Sequence, residues 1–172
     1  MTAYVALLRA INVGGTGKLP MTDLAAMCEA AGHRGVKTYI ASGNVVFASG
    51  KSEAEVKADL ETRLEAYAGK PVGVMVRTAA EMVAVRDANP FPDAPGNRVL
   101  AIFLDEAPPA DTIAKAVGGA DEEEIALGSR EIYVRYGDGM GTSKLRIPAA
   151  KTGTGRNMNT VAKLAVMAAD LG

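Results

Sequence analysis

Residues 36–77 read VKTYIASGNVVFASGKSEAEVKADLETRLEAYAGKPVGVMVR, and the order of signals in this stretch decides the fold. Val36 to Ser42 alternates and carries Val, Thr, Tyr and Ile, the pattern of a half-buried strand. Gly43-Asn44 marks a turn, and Val45 to Ala48 returns as the hairpin partner. Ser52 with Glu55 three residues later forms a capping box, which satisfies the first orphan N–H groups of a helix. Val56, Leu60, Leu64 and Tyr67 then recur at helical spacing and make one apolar face. Gly69 stops the helix. Val72 to Arg77 reads as a further strand.

Upstream, Tyr4 to Leu8 is a short apolar run, read as a buried strand. Arg9 to Pro20 is a glycine-rich loop. Met21 to Ala31 is a helix closed by Gly32. The whole order is strand, helix, hairpin, helix, strand, the split βαβ or ferredoxin-like motif. Its first strand is expected beside the third and fourth, with the first and third running parallel at the centre.

Downstream the signals recur. Thr78 and Glu81 make a second capping box on a helix ending near Ala88. Asn89 to Asn97 carries three prolines and reads as a connector. Arg98 to Leu104 reads as a strand, and Pro109 to Val117 as a helix with Pro109 in its first turn. Glu124 to Leu127 and Glu131 to Tyr136 form a hairpin around Gly128-Ser129. Ser143 is expected to cap a short helix reaching Pro148 or just beyond. Thr152 to Asn159 leads into a last helix whose Val161, Leu164, Ala165, Ala168 and Leu171 share a face. The hairpins YIASGNVVF and EIALGSREIYV can be laid over one another. The expectation is an α+β protein of two ferredoxin-like (split βαβ) α/β sandwich halves, residues 1–77 and 78–172, from an internal duplication. Each half is expected to be a sheet with helices mainly on one face. The second half shows no evident fourth strand.

The 172 residues are 48% hydrophobic, enough for a real core, which excludes wholesale disorder. Nineteen Lys and Arg balance twenty Asp and Glu, so no global basic field announces a nucleic-acid binder. Cys28 is the one cysteine and sits among Leu24, Met27 and Ala31 at helical spacing, so it reads as a small core residue. Met1 leads directly into a strand without a charged leader, and no apolar run approaches the roughly 20 residues of a membrane span. The expected setting is the cytoplasm, away from the membrane.

Chemistry-bearing motifs are few. His33 is the one histidine and follows a helix-ending glycine, where a solvated or capping role is expected. One His and one Cys make a transition-metal site of ordinary composition improbable, and no cofactor is implied. NVGGTGKLP ends in Gly17-Lys18, but Asn12 and Leu19 replace the glycine and hydroxyl that a nucleotide P-loop needs. GDGMGTSK, with Gly137, Gly139 and Gly141, lacks the dinucleotide spacing. A polar constellation remains. Arg9, Asn12 and Lys18 lie in the first loop, and Ser42 and Asn44 at the hairpin turn. Arg156, Asn157, Asn159 and Thr160 lie at the approach to the last helix. A helix start suits an anion, and arginine adds bidentate phosphate or carboxylate recognition. Against this, the Asn and Thr residues there serve equally as caps, and the arginines as partners of acids.

YVALLRAINVGG, TYIASGNVVF and RNMNTVAKL resemble the signatures of a bacterial family known only as a domain of unknown function, number 1697. The family's usual wording is close to LLRGINVGG, TY-x-x-SGN-VVF and RNWNT. The likeness covers essentially the whole chain, and it implies two ferredoxin-like α/β domains and no activity. Ala10 stands where the family usually has Gly, and Met158 where it usually has Trp. A thioether is a poor stacking platform, which weakens an aromatic ligand at that point.

Three functions compete at this stage. The leading one is a binder of a phosphate-bearing ligand, a nucleotide or single-stranded nucleic acid, in a polar cleft between the two halves. The second is a small-molecule enzyme using Arg9 and Arg156 as electrostatic clamps, with Asp23, Asp138 or a tyrosine as base. The third is a structural or interaction module, a homodimer through an exposed sheet edge.

Overall fold

The computed structural model describes residues 1–9, 18–119, 123–137 and 143–171. The chain divides into two compact units, Met1–Val83 with Lys163–Gly172, and Ala84–Ala162. The described elements make a mixed α+β protein with two four-stranded antiparallel sheets and four α-helices.

The first sheet contains β1 (Thr2–Leu8), β2 (Arg34–Thr38), β3 (Asn44–Ser49) and β4 (Val74–Thr78), in the order β2-β3-β1-β4. The first and third strands are neighbours but run antiparallel, not parallel. The connectivity requires this. A helix returns the chain from β1 to a β2 of the same sense, and the hairpin then reverses β3. α1 (Met21–Ala30) and α2 (Glu53–Ala68) supply Leu24, Cys28, Val56, Leu60 and Leu64 to a core shared with Tyr4, Ala6, Leu8, Val45, Phe47, Val74 and Val76. The intervening residues of β1, Ala3, Val5 and Leu7, are buried as well. β1 is therefore covered on both faces, which explains its unbroken apolar run.

The signals around α2 act as their chemistry demands. Ser52 Oγ accepts from the Glu55 N–H and Glu55 Oε1 accepts from the Ser52 N–H, both at 3.2 Å. Gly69 ends the helix in the left-handed region at φ 73°. Tyr67 departs from the expected apolar face. It is 47% exposed, and its hydroxyl donates to Asp23 Oδ2 at 2.9 Å, because the phenol end of the ring favours a polar partner over the core. Cys28 is a core residue whose thiol is pushed up to about 12, chiefly by burial, so it stays protonated and inert.

His33 is a correction. It is 5% exposed instead of solvated, and its ring lies flat on Phe47, centroids 4.1 Å apart and planes at 7°. β2 starts at the next residue, so the chain has already turned inward over the sheet. The hairpin also differs from a two-residue turn. β2 ends at Thr38 and β3 begins at Asn44, leaving a five-residue loop.

The second sheet contains β5 (Val99–Phe103), β6 (Glu124–Leu127), β7 (Glu131–Arg135) and β8 (Thr154–Asn157), in the order β6-β7-β5-β8, also antiparallel. The segment read as the approach to the last helix is thus the missing fourth strand. Its Thr154 to Asn157 register against Phe103 to Leu100. A four-residue strand holding Gly155 and Asn157 has too little β propensity to announce itself.

Two expected helices do not form. Ala110 to Lys115 is a run of turns. Ile113 and Val117 there are 48% and 59% exposed, so no amphipathic face is buried, and a segment this short is marginal without one. Beyond it, Val117 and Arg146 exchange two backbone hydrogen bonds at 2.9 and 2.7 Å, which holds both ends extended. Ser143 caps no helix. Its hydroxyl bonds the Glu123 carboxylate, and the short 3-10 helix runs over Pro148–Thr152. Leu145, Ile147, Ala149 and Ala150 still pack against Leu104, Ile132 and Val134.

α3 (Ala79–Asp87) follows β4 without a break, and α4 (Met158–Ala169) follows β8 in the same way. The Val85 carbonyl on α3 accepts from the buried Tyr133 hydroxyl at 2.8 Å, in the second unit. Leu171, beyond α4, rests on Gly35 of β2, in the first unit. Gly35 has φ 64°, a left-handed backbone conformation that favours glycine, and a Cβ there would meet only the flexible end of Leu171, Cδ2 at 2.7 Å. Val161, Leu164, Ala165 and Ala168 of α4 are all fully buried, as their spacing predicts. No helix among the described residues is long and apolar enough to cross a membrane.

Candidate site at the β1 end of the first sheet

The carboxyl end of β1 lies beside the start of β3. Leu7 registers with Asn44, and the Leu8 N–H donates to Gly43 O at 2.9 Å. The next residue turns to the other neighbour, the Arg9 N–H donating to Gly73 O at 2.8 Å. Arg9, Ser42 and Asn44 therefore share one end of the sheet. The Arg9 stem runs along Gly73, where a Cβ would sit 3.6 Å from both Arg9 Cβ and Cδ. Its backbone is held on this side while the side chain as a whole is exposed. Lys18 is also exposed, just ahead of the buried Leu19 and of Pro20, which precedes α1 with no side-chain cap. Asn12 and Ala10 lie outside the described residues.

Asn44 has a defined task. It is fully buried, and its Nδ2 donates to Tyr39 O at 2.8 Å and to Ser42 Oγ at 2.9 Å. The Tyr39 N–H donates back to Asn44 O at 3.0 Å. One side chain thus closes the hairpin loop from inside. Within the loop Ile40 is held at φ 50° and is 51% exposed. A β-branched residue in the left-handed region is strained, and an apolar one facing water gains no packing in return.

Arg156, Asn157, Asn159 and Thr160 belong to the second unit, on β8 and the first turn of α4. Arg156 is 7% exposed and registers with Ala101. Its Nη1 donates to Thr154 Oγ1 at 2.6 Å and to Gly155 O at 2.9 Å. Burial lowers its pKa to about 10, which leaves it charged at neutral pH. Asn157 Oδ1 accepts from the Thr160 N–H at 2.9 Å, so it caps α4. Thr160 is buried, and the exposed Asn159 places its amide over Gly96.

The sequence reading passed over a counterpart of Arg156. Arg77 on β4 is 1% exposed and its Nη1 donates to Val76 O at 3.0 Å. Thr78 follows it as a cap, accepting from the Glu81 N–H at 3.1 Å while Glu81 Oε1 accepts from the Thr78 N–H at 2.9 Å. Each fourth strand thus ends in a buried arginine followed by a capping residue. The R-T-x-x-E and R-N-x-x-T spacing carried that signal. Of the bases considered for an enzyme, Asp23 accepts from Tyr67, and Asp138 lies outside the described residues. No cluster of three metal-ligating side chains occurs among the described residues.

A family described as "Protein of unknown function (DUF1697)" matches residues 1–133. A solved structure of a conserved bacterial protein, SP0830 from Streptococcus pneumoniae, is 24% identical and superposes with a TM-score of 0.78 over 96% of this chain and 98% of that one. That likeness concerns the fold. No curated protein matches the chain.

Proposed function

This chain belongs to the DUF1697 family of proteins of unknown function, and we propose that it binds a phosphate-bearing ligand, a nucleotide or a short single-stranded nucleic acid, at the β1 end of its first sheet. The observation that carries the reading is the locked loop beside Arg9. A buried Asn44 holds Tyr39 to Ser42 in a strained, solvent-facing shape one backbone hydrogen bond from the strand that presents Arg9. Strain of this kind persists where the surroundings over-determine it, and it clusters at ligand sites. The exposed Arg9 and Lys18 supply positive charge, and Tyr39 and Ile40 an apolar surface. Arginine suits the planar, bidentate recognition of phosphate. The same strand order in both sheets, and a buried arginine before each cap, support reading the molecule as two ferredoxin-like halves of one duplication.

The test is equilibrium binding of AMP and of a fluorescent oligothymidine, each at two salt concentrations. Arg9→Ala should weaken binding by about tenfold or more, the worth of a charge-assisted contact, with the melting temperature unchanged. Arg156→Ala should lower the melting temperature, since its side chain is buried. A salt slope steeper for the oligonucleotide assigns nucleic acid, and a preference for AMP assigns the nucleotide. Binding that Arg9→Ala leaves intact, or no binding of either probe, ends the proposal.

A further inference from the structure

Two sheets of four strands have four edges, and three of them are defended against pairing with another chain. On β4 the outward backbone groups are taken by side chains. The Val74 N–H donates to Glu61 Oε2 at 3.2 Å, Val74 O accepts from Lys57 Nζ at 2.5 Å, and Val76 O accepts from Arg77 Nη1 at 3.0 Å. On β8 the Gly155 carbonyl accepts from Arg156 Nη1 at 2.9 Å. β2 carries a register shift between Arg34 and Lys37, both exposed cations, with Leu171 resting on Gly35. β6 shows none of these devices. Its Glu124–Leu127 pair with β7 in unbroken register, without proline, lysine or bulge.

The Gly128 N–H donates to Glu131 O, which fixes the phase of this ladder. Glu124, Ala126 and Gly128 turn their backbone groups toward β7, and Ile125 and Leu127 turn theirs away from the sheet. Leu127 is also 37% exposed, while Ile125, on the same face, packs against the cluster of Leu104, Ile132 and Val134. We infer that β6 pairs antiparallel with β6 of a second copy of this chain, about a two-fold axis at Ala126. In that register Ile125 and the partner's Leu127 exchange backbone hydrogen bonds, and so does the symmetric pair. The partner's Leu127 then lies beside Ile125 and extends its apolar cluster. Charge complementarity favours a second copy. Glu124 keeps its own ion pair with Arg135 and falls opposite the partner's Gly128, so no like charges meet. The antiparallel sense sets the acidic approach to β6, Glu123 and Glu124, beside the partner's turn, which carries Arg130. So short a strand buries less than the roughly 1,200 Å² of a stable interface, so the dimer is a transient one. It is independent of the ligand proposed for the first sheet.

The test is sedimentation equilibrium of the full chain from about 10 μM to 1 mM, with an expected Kd between about 10 μM and 1 mM. Hydrogen exchange adds a site-specific readout. The Ile125 and Leu127 amides should gain protection as protein concentration rises, whereas the Ala126 amide, already bonded to β7, should not change. Leu127→Lys should raise the Kd tenfold or more with the melting temperature unchanged, because the residue is exposed and the edge gains a charge. Ala126→Cys should cross-link to itself under mild oxidation, since facing residues of a non-hydrogen-bonded pair lie about 4.5 Å apart. Ser129→Cys, far from the axis, should not. A chain that stays monomeric at 1 mM overturns the inference. So does association that Leu127→Lys leaves intact, or cross-linking at position 129 as efficient as at 126. Protection of Ile125 and Leu127 by an added extended peptide, in a chain that remains monomeric, would assign the edge to a foreign strand instead.

Discussion

The two sheets are built to the same strand order but solve the same places with different chemistry. The Leu8 N–H meets Gly43 O in the first, and the Leu104 N–H meets Arg130 O in the second, both at 2.9 Å. The first residue of the third strand is a buried polar group in each, Asn44 and Glu131. Each closes its hairpin through its carbonyl, from the Tyr39 N–H at 3.0 Å or the Gly128 N–H at 2.8 Å. The residue after that shared bond differs in sign, Arg9 in one sheet and Asp105 followed by Glu106 in the other. Backbone bonds that the sheet needs are kept, while the side chains facing water diverge. The covering layer differs too. α1 and α2 cover one face of the first sheet, whereas turns, a bridge and a 3-10 helix do that work in the second.

That contrast in the covering layer makes the largest prediction. Leu60→Ala in α2 removes a fully buried side chain and should cost about 2 to 5 kcal/mol in urea unfolding. Leu145→Ala, half-buried in the irregular layer, should cost roughly 1 kcal/mol, because less apolar area leaves contact. Equal losses would show that the irregular layer is packed as tightly as the helices.

Asn44→Ala comes next, at about 1 to 3 kcal/mol, since it leaves Tyr39 O and Ser42 Oγ without their buried donor. Hydrogen exchange should report the loss in the loop between β2 and β3, and leave the β6–β7 hairpin protected. Exchange that quickens in both hairpins would mean the two are not independent.

The caps test the resemblance of the two fourth strands. Thr78→Ala and Asn157→Ala should each cost about 1 kcal/mol in thermal unfolding, as a lost N-cap does. A negligible cost at one of them would mark that cap as incidental.

The smallest effect is a slope, and it belongs to the first unit alone, where His33 lies. Burial first, then the charge of Lys51, lowers the His33 pKa, and no hydrogen bond is made by either ring nitrogen. Asp59 opposes this shift and Arg63 adds to it. A depressed pKa means the unfolded chain takes up the proton first. Stability should therefore be full above the unfolded value near 6.5, fall as pH drops through it, and level off below the folded value. His33→Phe should flatten that part of the profile. An unchanged acid slope in the variant would place the titration elsewhere.

Much of this molecule was legible in local signals. The capping boxes at Ser52 and Thr78, the stop at Gly69 and the apolar faces of α2 and α4 each depend on residues within one or two turns. Their energetics is fixed before the chain folds back. Arg9, Ser42 and Asn44 were likewise recognisable as residue types in a suggestive pattern. Tertiary structure alone decided the rest. β8 exists because β5 offers its edge to Thr154–Asn157, a pairing across about fifty residues that no local propensity announces. The segment 110–115 fails as a helix because nothing buries its apolar side. His33 is buried because Phe47 arrives beneath it. Asn44 and Arg9 share one sheet end because hairpin and helix together reverse β3 against β1. Periodicity and caps are short-range free energies, whereas strand pairing and burial depend on partners distant in sequence.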